Sequence, residues 1–308
     1  MLRDLMLSLS RSEEVKSLIT SFPVTRDVVK RYVAGEIEVD VLTTTKELTE
    51  KGLLVTIDRL GEDVLEPSDA DTTVNDYVSL LRGLSESGLA SKAEVSVKLS
   101  ALGLMLDDGF TKALENARRI AAAAHENNTT ITLDMEDHTL TDSTLSIARE
   151  LRKDFPSVGI VLQSYLFRTE ADCREFAYPG SRVRLCKGAY KEPDTVAYSA
   201  KGDVDLSYVR CMKILIEGGA YPMFATHDPR LIDIAKALTA QAGRSTDSFE
   251  FQMLHGVRPD EHVSLADAGF LLRVYVPYGI DWYGYLMRRM AERPQNMMLF
   301  LRSLASKK

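Results

Sequence analysis

Three charged side chains occupy strand-like segments that are otherwise apolar on one face. They are Lys98 in EVSVKLS (94–100), Asp134 in TITLDME (130–136) and Arg184 in RVRLCKG (182–188). Successive side chains of a strand point to opposite faces. Val95, Val97 and Leu99 therefore oppose Ser96, Lys98 and Ser100. Ile131, Leu133 and Met135 oppose Thr132, Asp134 and Glu136, and Val183 and Leu185 oppose Arg184 and Cys186. Burying such charges is costly unless each is paired or meets a ligand. All three lie late in their segments, and Gln163, Thr226, His227, Gln252 and Tyr275 stand near the ends of others. The chemistry this suits is recognition of a charged small molecule. The competing reading is a salt-bridge network that pins the fold.

A second constellation follows in DWYGYLMRRMAERPQN (281–296). Tyr285, Arg288, Arg289 and Glu292 are spaced i, i+3, i+4 and i+7, one face of a helix. Two arginines braced by a carboxylate a turn later can grip a carboxylate ligand bidentately. A solvated charged face explains the same spacing equally well. Two other chemistries use residues of these segments. DMEDH (134–138), THD (226–228) and His255 offer ligands for a metal-dependent barrel hydrolase. Against it, the first strand-like segment carries TID with no paired histidines, and the five histidines are scattered. Lys98 and Lys187 offer amines for a Schiff-base aldolase. A non-catalytic binding barrel is a third alternative.

The elements that must position these groups come as a rhythm. Eight strand-like runs, at 53–60, 94–100, 130–136, 159–165, 182–188, 221–228, 249–256 and 272–279, alternate with helical segments such as 109–128 and 205–219. That alternation predicts βαβ units and a parallel sheet. Eight units in this length match a (β/α)8 barrel, whose chemistry sits at the carboxyl ends of the strands. No GxGxxG follows the first strand, which disfavours a dinucleotide-binding Rossmann domain. Residues 1–50 read as an N-terminal helical arm and 51–308 as the barrel.

Composition narrows the class. With 308 residues, a net charge of −7 and three cysteines (Cys173, Cys186 and Cys211) in no CxxC pair, the chain suits neither a nucleic-acid binder nor a disulfide scaffold. The N-terminal MLRDLMLSLSRSEEVKSLI lacks the apolar core of a signal peptide and reads as a short amphipathic helix. The expectation is a cytoplasmic protein.

The segments VSVKLSALG, TLDMED, VLQSYL, RVRLCKGAYKEP, FATHDP, FQMLHGV, RVYVPYG and YLMRRMAERPQN resemble, in order, the motifs of the proline dehydrogenases. One of these would be moderately specific. The set, spanning 94 to 296, is highly specific. The resemblance implies a distorted (β/α)8 barrel of the TIM type, FAD at its carboxyl end, and a last helix lying over the mouth. It implies oxidation of L-proline to Δ1-pyrroline-5-carboxylate, electrons passed to a membrane quinone through a peripheral, cytosol-facing contact, and a separate pyrroline-5-carboxylate dehydrogenase for the next step.

The same resemblance carries roles onto residues. Lys98, Arg288 and Arg289 match the carboxylate clamp, with Glu292 the arginine partner. Tyr190, Leu254, Tyr275 and Tyr285 match the walls around the proline ring. Asp134 and Arg184 match the catalytic pair. Met135, Gln163, Arg184, Lys187, Gly188, Ala189, Thr226, His227 and Gln252 match the cofactor set, and no metal is implied. The chain departs from the long bifunctional members in its length, in Lys191 where they carry a tryptophan against the adenine, and in a shorter loop from Tyr275 to Arg288.

Overall fold

The computed structural model describes residues 29–61, 64 and 66–286. Eight parallel strands close into one barrel in sequence order. They are β1 (Leu54–Arg59), β2 (Ala93–Val97), β3 (Ile131–Leu133), β4 (Gly159–Gln163), β5 (Arg182–Cys186), β6 (Tyr221–Ala225), β7 (Glu250–Leu254) and β8 (Leu272–Tyr278). Seven lie inside their predicted runs, and β2 begins one residue before its own. The strands stop earlier than the runs do, so Lys98, Asp134 and His227 stand one or two residues beyond the ladder, where the mouth loops begin.

The helices are α1 (Glu38–Glu50), α2 (Pro67–Glu86), α3 (Gly109–Glu126), α4 (Thr141–Arg152), α5 (Thr169–Phe176), α6 (Lys201–Glu217), α7 (Pro229–Gln241) and α8 (Pro259–Asp267). Proline opens three of them, where its missing N–H has no intrahelical partner to lose. Their apolar stripes face the sheet. In α3 the buried stripe is Ala113, Ala117, Ile120, Ala121 and Ala124, and in α6 it is Tyr208, Cys211, Met212 and Leu215. These meet the outward strand residues Val95, Val97, Ile131, Leu133, Val183, Leu185, Phe224, Phe251, Val274 and Val276 in one continuous core.

The helix before the barrel has its own place on it. Helix α1 packs on β1 and β8. The segment leading into α1 runs beside the end of β8: the Ala34 N–H donates to Pro277 O (2.9 Å), the Gly279 N–H to Gly35 O (2.9 Å), and Trp282 Nε1 to Glu36 Oε1 (2.9 Å). Residues 282–286 then form a helical turn directly after β8. Arg288, Arg289 and Glu292 lie outside the described residues.

Inside the barrel the filling is polar, where branched apolar side chains are the usual choice. Near the amino ends of the strands two glutamates face two arginines. Arg273 binds Glu250 through Nε (2.7 Å) and Nη2 (3.1 Å), and Arg182 binds Glu94 (2.5 Å). Thr56 and Thr132 donate to Glu94 at 2.9 and 3.1 Å, and Tyr221 donates to Glu250 at 3.1 Å. Burial pushes the Glu94 carboxyl up, but the Arg273, Arg182 and Arg184 guanidinium groups outweigh it and hold it at about 2.

That depression fixes a sign. A carboxyl held below its ordinary value of 4.5 stabilises the fold fully above that pH and loses the contribution as pH falls towards 2. The lost stability is roughly 3 kcal/mol on the conversion of pKa shift to free energy. Urea unfolding followed from pH 5 down to pH 2 should therefore show a steep acid limb. In Glu94→Gln that limb should be flatter, on a lower plateau. Parallel limbs in the two proteins would remove Glu94 from the acid transition.

Candidate active site

Above this charged floor stands Arg184, 4% exposed and in the middle of β5. Its Nε donates to Gln252 Oε1 (2.5 Å), and its Nη1 donates to Asp134 Oδ1 (2.6 Å) and Ser96 Oγ (2.9 Å). Nη2 lies 3.5 Å from Thr56 Oγ1 and 3.6 Å from Glu94 Oε1. The guanidinium also lies 5.3 Å from the centroid of the Tyr275 ring. Gln252 is oriented from below, since its Nε2 donates to Glu250 Oε1 (2.6 Å). That contact leaves Gln252 Oε1 to accept from Arg184, so the floor fixes the side chain above it.

At the mouth, Asp134 accepts from Arg184 on one oxygen and from the Tyr275 hydroxyl on the other (2.7 Å). Burial and the Asp134 charge push the Tyr275 phenol well above its ordinary range, so it stays protonated and donates. Lys98 pairs with Asp58. Its ammonium lies 2.9 Å from each carboxylate oxygen of Asp58, at the end of β1. Burial raises the Asp58 pKa, the Lys98 charge opposes that rise, and the Asp134 charge adds to it. Cys186 ends β5 beside this cluster, and burial holds its thiol up at about 12.

The loop after β5 wraps the rim. Lys187 pairs with Asp205 and, at 3.5 Å, with Asp228. Gly188 has φ +109°, and a Cβ there would fall 2.3 Å from the Tyr165 ring. The Tyr165 hydroxyl donates to Glu192 (2.9 Å), which also accepts the His138 backbone N–H (3.0 Å) and contacts His138 Nδ1. One tyrosine thus backs the glycine and holds the far end of the same loop. Tyr190, on its crest, is 36% exposed. Ala189 lies beside it on the loop.

The remaining expected residues lie around the same mouth. Gln163 ends β4 and donates to Glu136 O (2.8 Å), which leaves its Oε1 as the acceptor edge. Met135 is buried just past β3. Thr226 and His227 follow β6. Thr226 Oγ1 accepts the Asp228 N–H (3.1 Å), and His227 Nε2 accepts the Leu254 N–H (2.9 Å). That backbone donor fixes the neutral tautomer of His227 with Nδ1 protonated. Leu254 ends β7 half-buried, and Tyr285 is buried in the helical turn 282–286, seven residues past the end of β8.

The groups offered as metal ligands are engaged elsewhere. Asp134 serves Arg184 and Tyr275, Glu136 binds Ser100, His138 meets Glu192, and Asp228 caps α7. Burial pushes His255 down to about 4. Among the described residues no three His, Cys, Asp or Glu converge as a metal site. The residues missed from sequence are Asp58, Glu94, Glu250, Arg182 and Arg273. Glu94, Arg182, Glu250 and Arg273 lie at an even step from Lys98, Arg184, Gln252 and Tyr275 on recognised strands, and Asp58 lies on a recognised strand where no candidate had been picked out.

The family model described as proline dehydrogenase matches residues 41–299. Proline dehydrogenase 1 of Bacillus subtilis is 37% identical over the full length of both chains. The proline dehydrogenase of Deinococcus radiodurans is 42% identical over 88% of this chain and 87% of that one. Among solved structures, proline utilization A from Bdellovibrio bacteriovorus, inactivated by N-propargylglycine, superposes with a TM-score of 0.82 at 26% identity. It covers 94% of this chain, which in turn spans 36% of it.

The loop geometry carries its own test. Gly188→Ala places a methyl group into the Tyr165 ring at a backbone angle that L residues avoid. It should cost about 1–3 kcal/mol of local stability and speed proteolytic cleavage between residues 187 and 192. Unchanged cleavage there, together with an unchanged melting temperature, would refute this role for the glycine.

Proposed function

The chain belongs to the proline dehydrogenase family, and we propose that it oxidises L-proline to Δ1-pyrroline-5-carboxylate at a bound FAD. Electrons pass on to a membrane quinone at a peripheral contact, and a separate pyrroline-5-carboxylate dehydrogenase consumes the product. The observation that carries this reading is the charged cluster of Lys98, Asp58, Asp134, Arg184 and Tyr275 at the carboxyl end of the barrel.

Lys98 binds the proline carboxylate together with Arg288 and Arg289, which Glu292 braces. Tyr190, Leu254, Tyr275 and Tyr285 wall the ring, a slot that suits a small apolar body with one charged end. Holding the substrate in one alignment is most of what such residues contribute. Asp134 keeps Arg184 in place and orients the Tyr275 hydroxyl. It is an organiser of charge, since both its oxygens already accept hydrogen bonds.

The residues present fit a flavin by the chemistry of their donors. Arg184 brings a buried cation, Gln163 an acceptor oxygen, and His227 a fixed Nδ1–H, around a loop whose Gly188 keeps it tight against Tyr165. Arg184, Gln163, Lys187, Gly188, Ala189, Thr226, His227 and Met135 would hold it. Gln252 acts from beneath, through Arg184. When bound, FAD supplies the hydride acceptor. Arg184 would supply a buried positive charge to offset the negative charge of the reduced flavin.

Anaerobic addition of L-proline to the purified protein should abolish the oxidised flavin band. A protein that carries no flavin, or keeps that band, is not working this way. Lys98→Met should raise KM for proline by roughly 30-fold or more, because truncating one partner of a buried charge pair costs about 2–5 kcal/mol. An unaltered KM would remove Lys98 from the clamp.

A further inference from the structure

We propose that Arg258 is a positioning residue for the cofactor and acts through His227: its guanidinium holds the His227 main chain, so that the imidazole is set for the flavin. This rests on the reading of His227 as a flavin-holding residue. The backbone is the first observation. Arg258 has φ 55° and ψ 54°, in the left-handed region, directly before Pro259. Among the described residues, the non-glycine residues with positive φ are Asp108, Asn128 and Arg258. Asp and Asn reach that region readily, because a short polar side chain can bond to nearby backbone. An arginine has no such help, and a following proline restricts it further. A turn that had only to start α8 would be met by glycine at lower cost. An outlier of this kind is held by its surroundings and points to a task for its side chain.

The side chain supplies the second observation. Arg258 Nη1 donates to His227 O (2.7 Å), and Nη2 donates to Glu261 Oε2 (2.9 Å). Glu261 lies in the first turn of α8. One prong of the fork is therefore braced on its own helix, and the other crosses to the loop after β6. The same connection, from β7 to α8, makes the second contact with His227, where the Leu254 N–H donates to Nε2 (2.9 Å). Main chain and ring are thus fixed together by one short segment. That segment is itself seated. The Val257 N–H donates to Leu254 O (3.1 Å), and Gly256, at φ +73°, lies so close to Arg31 that a Cβ would fall 1.8 Å from its carbonyl oxygen.

The consequence runs on along the rim. The peptide that Arg258 grips joins His227 to Asp228, whose Oδ2 lies 3.5 Å from Lys187 Nζ on the loop after β5. A hydrogen bond from a guanidinium to a carbonyl is stronger than a neutral one. Without it the Leu254 N–H anchors a ring whose main chain can shift, and a donor that shifts is a poorer holder of a rigid ligand.

The test is a double-mutant cycle on FAD binding. Dissociation constants are read from the flavin released by the holoprotein on dilution. The proteins are the wild type, Arg258→Gly, His227→Ala and the double variant. Glycine removes the guanidinium and relieves the left-handed backbone, so the turn is kept. Arg258→Asn, which also tolerates that backbone, replaces it should the melting temperature fall. Arg258→Gly should weaken FAD binding on the order of tenfold, the size of one hydrogen bond to a charged group. In the His227→Ala background the same change should weaken it by about twofold or less, because the residue it positions is gone.

An arginine that served only α8 would give the same loss in both backgrounds, or none in either, and each of those results overturns the inference. Either leaves the flavin reading standing. A wild-type protein that binds no FAD, or a His227→Ala variant that binds it as tightly as wild type, shows the functional reading of His227 to be wrong, and the inference falls with it.

Discussion

Arg184 is the contact on which the interior turns. Its guanidinium joins residues from five strands or strand ends: Asp134, Ser96, Gln252, Thr56 and the Tyr275 ring. An unpaired buried cation would cost more than a small domain can spare, because net stability is only about 5–15 kcal/mol. The partners must therefore all be present, and only a closed parallel barrel brings them to one point. Each comes from a different place in the chain, with sequence separations of up to 128 residues. The outer apolar core closes the barrel, and this network dictates which residues fill it.

The two charged storeys do different work. The floor matches Arg182 and Arg273 with Glu94 and Glu250, and it pins Gln252 in the one orientation that accepts from Arg184. The mouth matches Arg184 and Lys98 with Asp134 and Asp58. Charges in the floor are closed off by threonine and tyrosine hydroxyls. Those at the mouth open onto the loops after β2, β3, β5 and β6. Rigidity below and access above is the arrangement a site needs if its side chains are to be preorganised.

Much of this was legible in the sequence, and the limit has a physical cause. The rhythm of short apolar runs and helical segments identified all eight strands, and period-two alternation put Lys98, Asp134 and Arg184 on the polar face. The same rule reaches Asp58 from Thr56 in LLVTIDRL, Glu94 from Ser96 in EVSVKLS, and Arg273 from Tyr275 in LRVYVPYG. It tells which face a residue takes and not whom it meets, because meeting depends on the stagger of strands around the barrel. Hence the rule leaves the partners of Asp134 and Lys98 undetermined, and the structure pairs Asp134 with Arg184 and Lys98 with Asp58. Proline and FAD came from family motifs, since alternation alone supports only a charged mouth. Arg288 and Arg289 lie outside the described residues.

The place of α1 follows from the same economy of partners. A barrel of this kind has one helix beside each pair of strands, and β8 needs cover where it meets β1. Helix α1 supplies that cover from before the first strand. With that flank filled, the chain leaving β8 at Tyr278 is not required to return along the outside. Its first turn, at 282–286, buries Trp282, Tyr283, Tyr285 and Leu286, and Trp282 bonds to Glu36 just ahead of α1.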